Sequence, residues 1–241
     1  MTAPPRATYR LQFNAGFRFE DARRAVPYLA ELGVSHVYAS PIFMAREGSM
    51  HGYDIVDHTR LNPELGTPGD FDAFVAELRR HDMGLILDFV PNHMGIGPDN
   101  PWWMDVLEWG PTSPYADYFD IDWAPPERTL AGKVLLPVLG DQYGAVLERG
   151  ELRLEVDRHA GVFEVHHHEH RFPVGPKSYP GLLQAASRRA DDGASSLRAL
   201  ADEFGAALRG GRGRRATLER RRRVSDLKGR LAQLLAQDVG A

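Results

Sequence analysis

The sequence predicts an α/β fold on three observations. Strand-like and helix-like periodicities alternate through the amino-terminal part, each helical stretch stops at a glycine, and the connections are long enough for parallel crossovers. Ala7 to Phe13 reads as a strand closed by the turn Asn14-Ala15-Gly16. Ala22, Ala25, Val26, Leu29 and Leu32 then fall at helical spacing up to Gly33. Val34 to Ala39 is a second strand with β-branched and aromatic content, followed by a long polar loop from Ser40 to Leu65. Thr67-Pro68-Gly69-Asp70 supplies an N-cap, a first-turn proline and an early acid, after which Phe71, Phe74, Val75 and Leu78 share one helical face before Gly84. Leu85 to Val90 is the third strand.

Strand-helix-strand connections of this length imply parallel neighbours, because a right-handed helical crossover returns the chain to the same sheet. Periodicity alone leaves an open doubly wound sheet and a barrel equally available. In either architecture the loops that leave the carboxyl ends of the strands build the site.

After Gly95 the texture changes. Prolines, tryptophans and acids (Pro98, Pro101, Trp102, Trp103, Trp109) precede strand-like runs at Ala145 to Leu147, Leu152 to Val156 and Val162 to His166. From Leu182 to Leu235 the chain is rich in Ala, Leu and Arg, broken by Gly210-Gly211-Arg212-Gly213, and reads as two helices with a mobile link. The expected organisation is therefore residues 1–94 as the α/β part, 95–181 as a β-rich insertion and 182–241 as an Arg-rich helical insertion.

Composition narrows the functional classes. The 241 residues are 43% hydrophobic, enough for a buried core, and a net charge of -4 gives no global pull towards polyanions. The absence of cysteine removes disulfides, thiol nucleophiles and cysteine-held metals. With no apolar signal core and no run long enough to span a bilayer, no membrane partner is expected and the cytoplasm is the default. The oligomeric state is left open.

The sharpest chemical signal is Asp88-Phe89-Val90-Pro91-Asn92-His93 at the third strand's exit, where an acid, an amide and an imidazole converge. Ser40-Pro41-Ile42 closes the second strand, and His51-Gly52-Tyr53-Asp54 follows in its loop. In this order and spacing these segments resemble the amylase superfamily, glycoside hydrolase family 13, whose first shared block ends in an Asn-His pair. Thr8-Tyr9-Arg10-Leu11-Gln12-Phe13, Lys133-Val134-Leu135-Leu136-Pro137-Val138-Leu139-Gly140 and Glu169-His170-Arg171-Phe172-Pro173-Val174 are further similar to the maltooligosyltrehalose synthases within it.

That resemblance implies a partial (β/α)8 TIM barrel, its first three β/α units, followed by the two insertions. It implies an intramolecular transglucosylation that turns the reducing-end α-1,4 linkage of a maltooligosaccharide into an α,α-1,1 linkage, as in trehalose biosynthesis, with no cofactor. Tyr53 matches the aromatic that covers the apolar face of a glucose, and His93 the imidazole that bonds the same sugar's primary hydroxyl. Tyr53 and His93 are thus expected to meet at the barrel mouth. Asp88 matches an acid that orients an arginine of the catalytic centre, so Asp88 and His93 support catalysis while His51, Tyr53, Asn92 and His93 bind substrate. Asn92 aligns with a calcium ligand of many amylases; here it is read as a loop-fixing hydrogen bonder. The nucleophile and acid/base of such enzymes lie at later strands, so the chain is expected to be an amino-terminal portion, inactive alone. Arg223-Val224-Ser225-Asp226 sits in a charged helical context, which makes Asp226 a poor nucleophile. A hydrolytic α-amylase or α-glucosidase would share Tyr53, Asp88 and His93, and so would a non-catalytic glucan-binding fragment.

Three other features are read as structural. In His166-His167-His168-Glu169-His170, alternation along a strand would put His166, His168 and His170 on one side, but the spacing is not that of a helical zinc motif and no metal is assigned. Arg220-Arg221-Arg222-Arg223, with Arg212, Arg214 and Arg215 nearby, lacks interleaved aromatics and is read as a helix face that pairs with acids, so no nucleic-acid partner is expected. Trp102, Trp103 and Trp109 could line a glucan groove or fill the insertion's core, and their apolar neighbours Val106 and Leu107 favour the core.

Overall fold

The computed structural model describes residues 4–190, 193–211 and 213–237; Arg212 and Ala241 lie outside the described residues. The chain forms two compact units, one ending at Asn100 and one beginning at Pro101.

The first unit runs β1 (Thr8–Leu11), α1 (Phe19–Glu31), β2 (His36–Ala39), a hairpin of β3 (Phe43–Ala45) and β4 (Ile55–Leu61), α2 (Pro68–Arg80) and β5 (Gly84–Leu87). β1, β2 and β5 form a parallel sheet in the order β1-β2-β5, with Arg10 opposite Tyr38 and Tyr38 opposite Ile86. Alternation gives the sheet two faces. Leu11, Val37, Ala39 and Leu85 join one core with Phe19, Ala22, Val26 and Leu29 of α1 and Phe74 and Leu78 of α2. The opposite face carries Arg10, Tyr38 and Ile86, and continues to Asp88, whose N–H donates to Ala39 O at 2.9 Å. α2 starts where its cap predicts: Asp70 N–H donates to Thr67 Oγ1 at 3.2 Å, Thr67 N–H donates back to Asp70 Oδ2 at 2.8 Å, and Pro68 occupies the first turn.

The stretch from Ser40 to Leu65, expected to be loop, contains the β3–β4 hairpin. Its signal is weak because β3 has only three residues and the pairing shifts register at both of its steps.

The second unit runs α3 (Pro101–Trp109), α4 (Tyr143–Glu148), an antiparallel sheet of β6 (Arg153–Asp157), β7 (Val162–His167) and β8 (His170–Pro173), then α5 (Tyr179–Ser187), α6 (Ala194–Leu208) and α7 (Arg214–Gln237). Ala145 to Leu147, expected as a strand, is helical. Only Val146 of the run is buried and Leu147 is exposed, a one-in-a-turn pattern that three apolar residues cannot reveal beforehand. The two expected terminal helices are three, since α5 ends at Ser187 and Gly193 precedes α6. Tyr179, Leu183, Leu200, Phe204, Val224, Leu227 and Leu231 make one core, and Phe163 of β7 and Trp109 of α3 pack against it. Residues before and after position 182 therefore share a hydrophobic interior.

Three basic residues of α7 pair with acids elsewhere in the unit. Arg221 forks onto Asp105 while its guanidinium lies 4.7 Å from the Trp109 ring, Lys228 pairs with Glu108, and Arg230 pairs with Glu203. Trp103 is buried, and Trp102 stacks on Tyr115 at 5.1 Å. Among the described residues no helix is long and apolar enough to cross a membrane. The expected row of His166, His168 and His170 does not form: β7 ends at His167, His168 occupies the turn with φ 50°, and His170 begins β8.

Candidate functional site

Two loops converge at the carboxyl ends of β2 and β5. The first, between β3 and β4, carries His51, Gly52, Tyr53 and Asp54; the second follows β5 and carries Asp88, Asn92 and His93. Two glycines permit the approach. Gly52 has φ 75°, and a Cβ there would stand 2.8 Å from Pro41 O; a Cβ on Gly95 would stand 2.8 Å from Asp54 O. Gly95 N–H in turn donates to Ile55 O at 2.8 Å, stitching the second loop to β4.

The centre of the site is a triad of side chains. Tyr53 Oη donates to Asp88 Oδ2 at 2.5 Å. Arg10, reaching from β1, donates from Nη1 to the same carboxylate oxygen at 3.1 Å and from Nη2 to Tyr53 Oη at 2.8 Å. Its guanidinium also lies 4.7 Å from the Tyr38 ring centroid, so the neighbouring strand supports it by cation–π contact. The Tyr53 hydroxyl, then Arg10 and Tyr38, hold the Asp88 carboxyl below the usual carboxylate range against the opposing effect of burial. The same hydrogen bond to an anionic acceptor pushes the Tyr53 phenol up. Asp88 is therefore an anion at neutral pH and Tyr53 a neutral phenol whose ring is fixed at its tip.

The imidazoles flank this triad. His93 Nε2 lies 3.1 Å from the Tyr53 carbonyl oxygen. A carbonyl only accepts, so Nε2 carries a proton, and in the Nε2–H tautomer Nδ1 is the acceptor atom. His51 Nδ1 accepts from Tyr53 N–H at 3.0 Å, and its ring stacks on that of Tyr53 with centroids 6.1 Å apart. Asp54 Oδ1 accepts from Ser49 Oγ at 2.5 Å and stands 3.9 Å from His51 Nδ1.

The structure thus brings Tyr53, Asp88, His93 and His51 together. Asn92 is exposed, and no hydrogen bond of its side chain to them is found among the described residues. The loop-fixing role expected of Asn92 belongs to Asn100, which is buried and donates from Nδ2 to Gly95 O at 2.8 Å. Arg10 is the residue that sequence reasoning missed. Its signal is positional: it sits in the middle of the first strand, on the face opposite Leu11, at a place where an apolar residue would otherwise be expected.

The family model described as alpha amylase, catalytic domain, matches residues 23–145. A protein of Mycobacterium tuberculosis (strain ATCC 25618 / H37Rv) assigned as a maltooligosyl trehalose synthase is 43% identical over 171 residues, covering 65% of this chain and 22% of its own length. The solved maltooligosyltrehalose synthase of Arthrobacter ramosus superposes with a TM-score of 0.63 at 43% identity, over 71% of this chain and 21% of that one. Alpha-amylase SusG of Bacteroides thetaiotaomicron is 38% identical over a shorter stretch, 109 residues, covering 45% of this chain and 15% of its own length. The chain thus spans about a fifth of the length of the synthases it matches.

Proposed function

We propose a reading whose premise is that this chain belongs to the alpha-amylase catalytic-domain family: β1, β2 and β5 are the first three strands of a (β/α)8 barrel, and their carboxyl ends hold one glucose ring of a maltooligosaccharide. In this reading the complete protein is a maltooligosyltrehalose synthase, which rearranges the reducing-end α-1,4 linkage to an α,α-1,1 linkage. The observation that carries the choice is the extent of likeness. The synthases match 65% and 71% of the chain, whereas the amylase relative matches 45%.

The triad gives each residue its proposed work. The Tyr53 ring covers the apolar C–H face of the sugar, and its hydroxyl is tied back by Asp88 and Arg10 so that the ring cannot swing. His93, proton on Nε2, accepts a sugar hydroxyl through Nδ1 and holds the ring as positive charge grows at the anomeric carbon. His51 backs the Tyr53 ring. Asp88 remains an anion and organises cations around it. Bond cleavage with retention needs a nucleophilic carboxylate and a second carboxyl about 5 Å apart. We assign that pair to other strands of the barrel, because Asp226 lies exposed on α7. The released glucose turns over and attacks the glycosyl-enzyme through its anomeric hydroxyl, with water excluded meanwhile.

The test is a product assay on a protein of the matched synthases' length carrying this sequence. With maltopentaose, reducing ends are expected to fall as trehalose-terminated product accumulates. A rise in reducing power would instead establish a hydrolase.

A further inference from the structure

We infer that the second unit holds a divalent-cation site, of zinc-like preference, formed by Glu151, His167 and His168. One potential ligand atom from each of these three residues lies within 4.8 Å of the other two. Glu151 sits just before β6, His167 closes β7 and His168 occupies the β7–β8 turn. The site therefore differs from the alternating row of His166, His168 and His170 that the sequence suggested.

Proximity of two imidazoles and a carboxylate would not suffice on its own. The second observation is His167 itself, which is 1% exposed and has a buried Nε2 with no hydrogen-bond partner. Buried side-chain nitrogens are nearly always paired. The other ring nitrogen shows why this one is orphaned: His167 Nδ1 lies 3.3 Å from the Glu151 main-chain oxygen, which only accepts, so Nδ1 carries the proton. In the Nδ1–H tautomer Nε2 is a bare lone pair, the arrangement that metal-bound histidines adopt when a carbonyl takes their second N–H.

The remaining ligands fit the same chemistry. His168 is exposed in a turn with φ 50°, a conformation uncommon for a residue other than glycine, which keeps its ring beside that of His167 at a centroid distance of 4.3 Å. Arg149 Nε donates to Glu151 Oε1 at 2.5 Å, whereas its contact to Oε2 is long at 3.4 Å. Oε2 retains lone pairs for a cation while Arg149 keeps the carboxylate ionised. Two nitrogens and a carboxylate oxygen with a fourth position for water match tetrahedral zinc. Ligand atoms around such an ion stand about 3.3 Å apart, so the set, now within 4.8 Å, has to contract, with the exposed His168 ring and the half-buried Glu151 carboxylate moving towards the buried His167. The cation would tie the start of β6 to the β7–β8 turn.

The test is titration of the chain with Zn2+ against a chromophoric chelator, repeated with Co2+ for its visible spectrum. One equivalent is expected to bind, with the intense visible bands of tetrahedral cobalt. His168→Ala and Glu151→Gln, both at positions that leave the buried ring in place, should each weaken binding by roughly tenfold or more while the circular dichroism stays unchanged. His166→Ala, whose ring instead bonds Glu164 at 2.9 Å, should leave binding as it is. Absence of stoichiometric uptake, or equal weakening by His166→Ala and His168→Ala, would overturn the proposal.

Discussion

The Tyr53 hydroxyl and the Asp88 carboxylate meet at 2.5 Å, and with that contact the loop beyond β2 is locked to the end of β5. The two residues are 35 positions apart in sequence, and Arg10, from a third strand, bonds both. Three consecutive parallel strands thus contribute one side chain each, directly or through a loop, to a single polar cluster.

Removing the hydroxyl alone separates this linkage from the ring. Tyr53→Phe should destabilise the chain by about 1.5–3 kcal/mol, the scale of a hydrogen bond to a charged group. The midpoint of urea unfolding measures it. In the complete synthase proposed above, the same variant should retain more activity than Tyr53→Ala, because the ring assigned to cover the sugar survives.

Acid should weaken the cluster with a defined sign. The folded-state pKa of Asp88 is depressed, so its contribution to stability is fully present above the ordinary aspartate value of about 3.9 and is lost as pH falls through the lower folded value. Urea midpoints measured from pH 6 downward should converge for wild type and Asp88→Asn below about pH 4. A gap that persists or widens in acid would contradict the assignment.

Arg10→Lys tests whether charge or shape matters. An ammonium keeps the positive charge but not the planar fork that reaches Asp88 and Tyr53 together. Because Arg10 is partly exposed, the stability loss should be modest, on the order of 1 kcal/mol, while kcat/KM of the complete enzyme falls further than stability alone explains. Equal kinetics for Lys and Arg at this position would remove Arg10 from the site.

The two loop glycines should be intolerant for different reasons. Gly52→Ala meets both a positive φ and Pro41 O, and Gly95→Ala meets Asp54 O, so each should cost about 1–3 kcal/mol in thermal unfolding. Gly140→Ala, with open space around its Cβ position, is the control and should shift the midpoint little.

Local sequence chemistry made part of this readable. Thr67 and Asp70 announce α2 because a capping box is a contact between residues three apart, and the glycine ends and apolar spacing of α1 and α2 are equally local. The convergence of the His51–Asp54 and Asp88–His93 segments was legible because both leave the carboxyl ends of neighbouring parallel strands. Arg10 escaped notice because its bond to Asp88 spans 78 positions and depends on strand register, which no periodicity encodes. α4 escaped because a three-residue apolar run fits either period. The orphaned nitrogen of His167 is invisible in sequence, since it follows from which ring atom the Glu151 carbonyl takes.

The central claim, that Tyr53 and His93 grip one glucose ring, is tested most directly by isotope-labelling the histidine and tyrosine rings and titrating the chain with maltopentaose by NMR. The account predicts concerted shifts at Tyr53, His51 and His93, abolished by His93→Ala together with Tyr53→Ala, while His166 and Tyr179 of the second unit stay still. Shifts confined to the second unit, or none at saturating sugar, would contradict it.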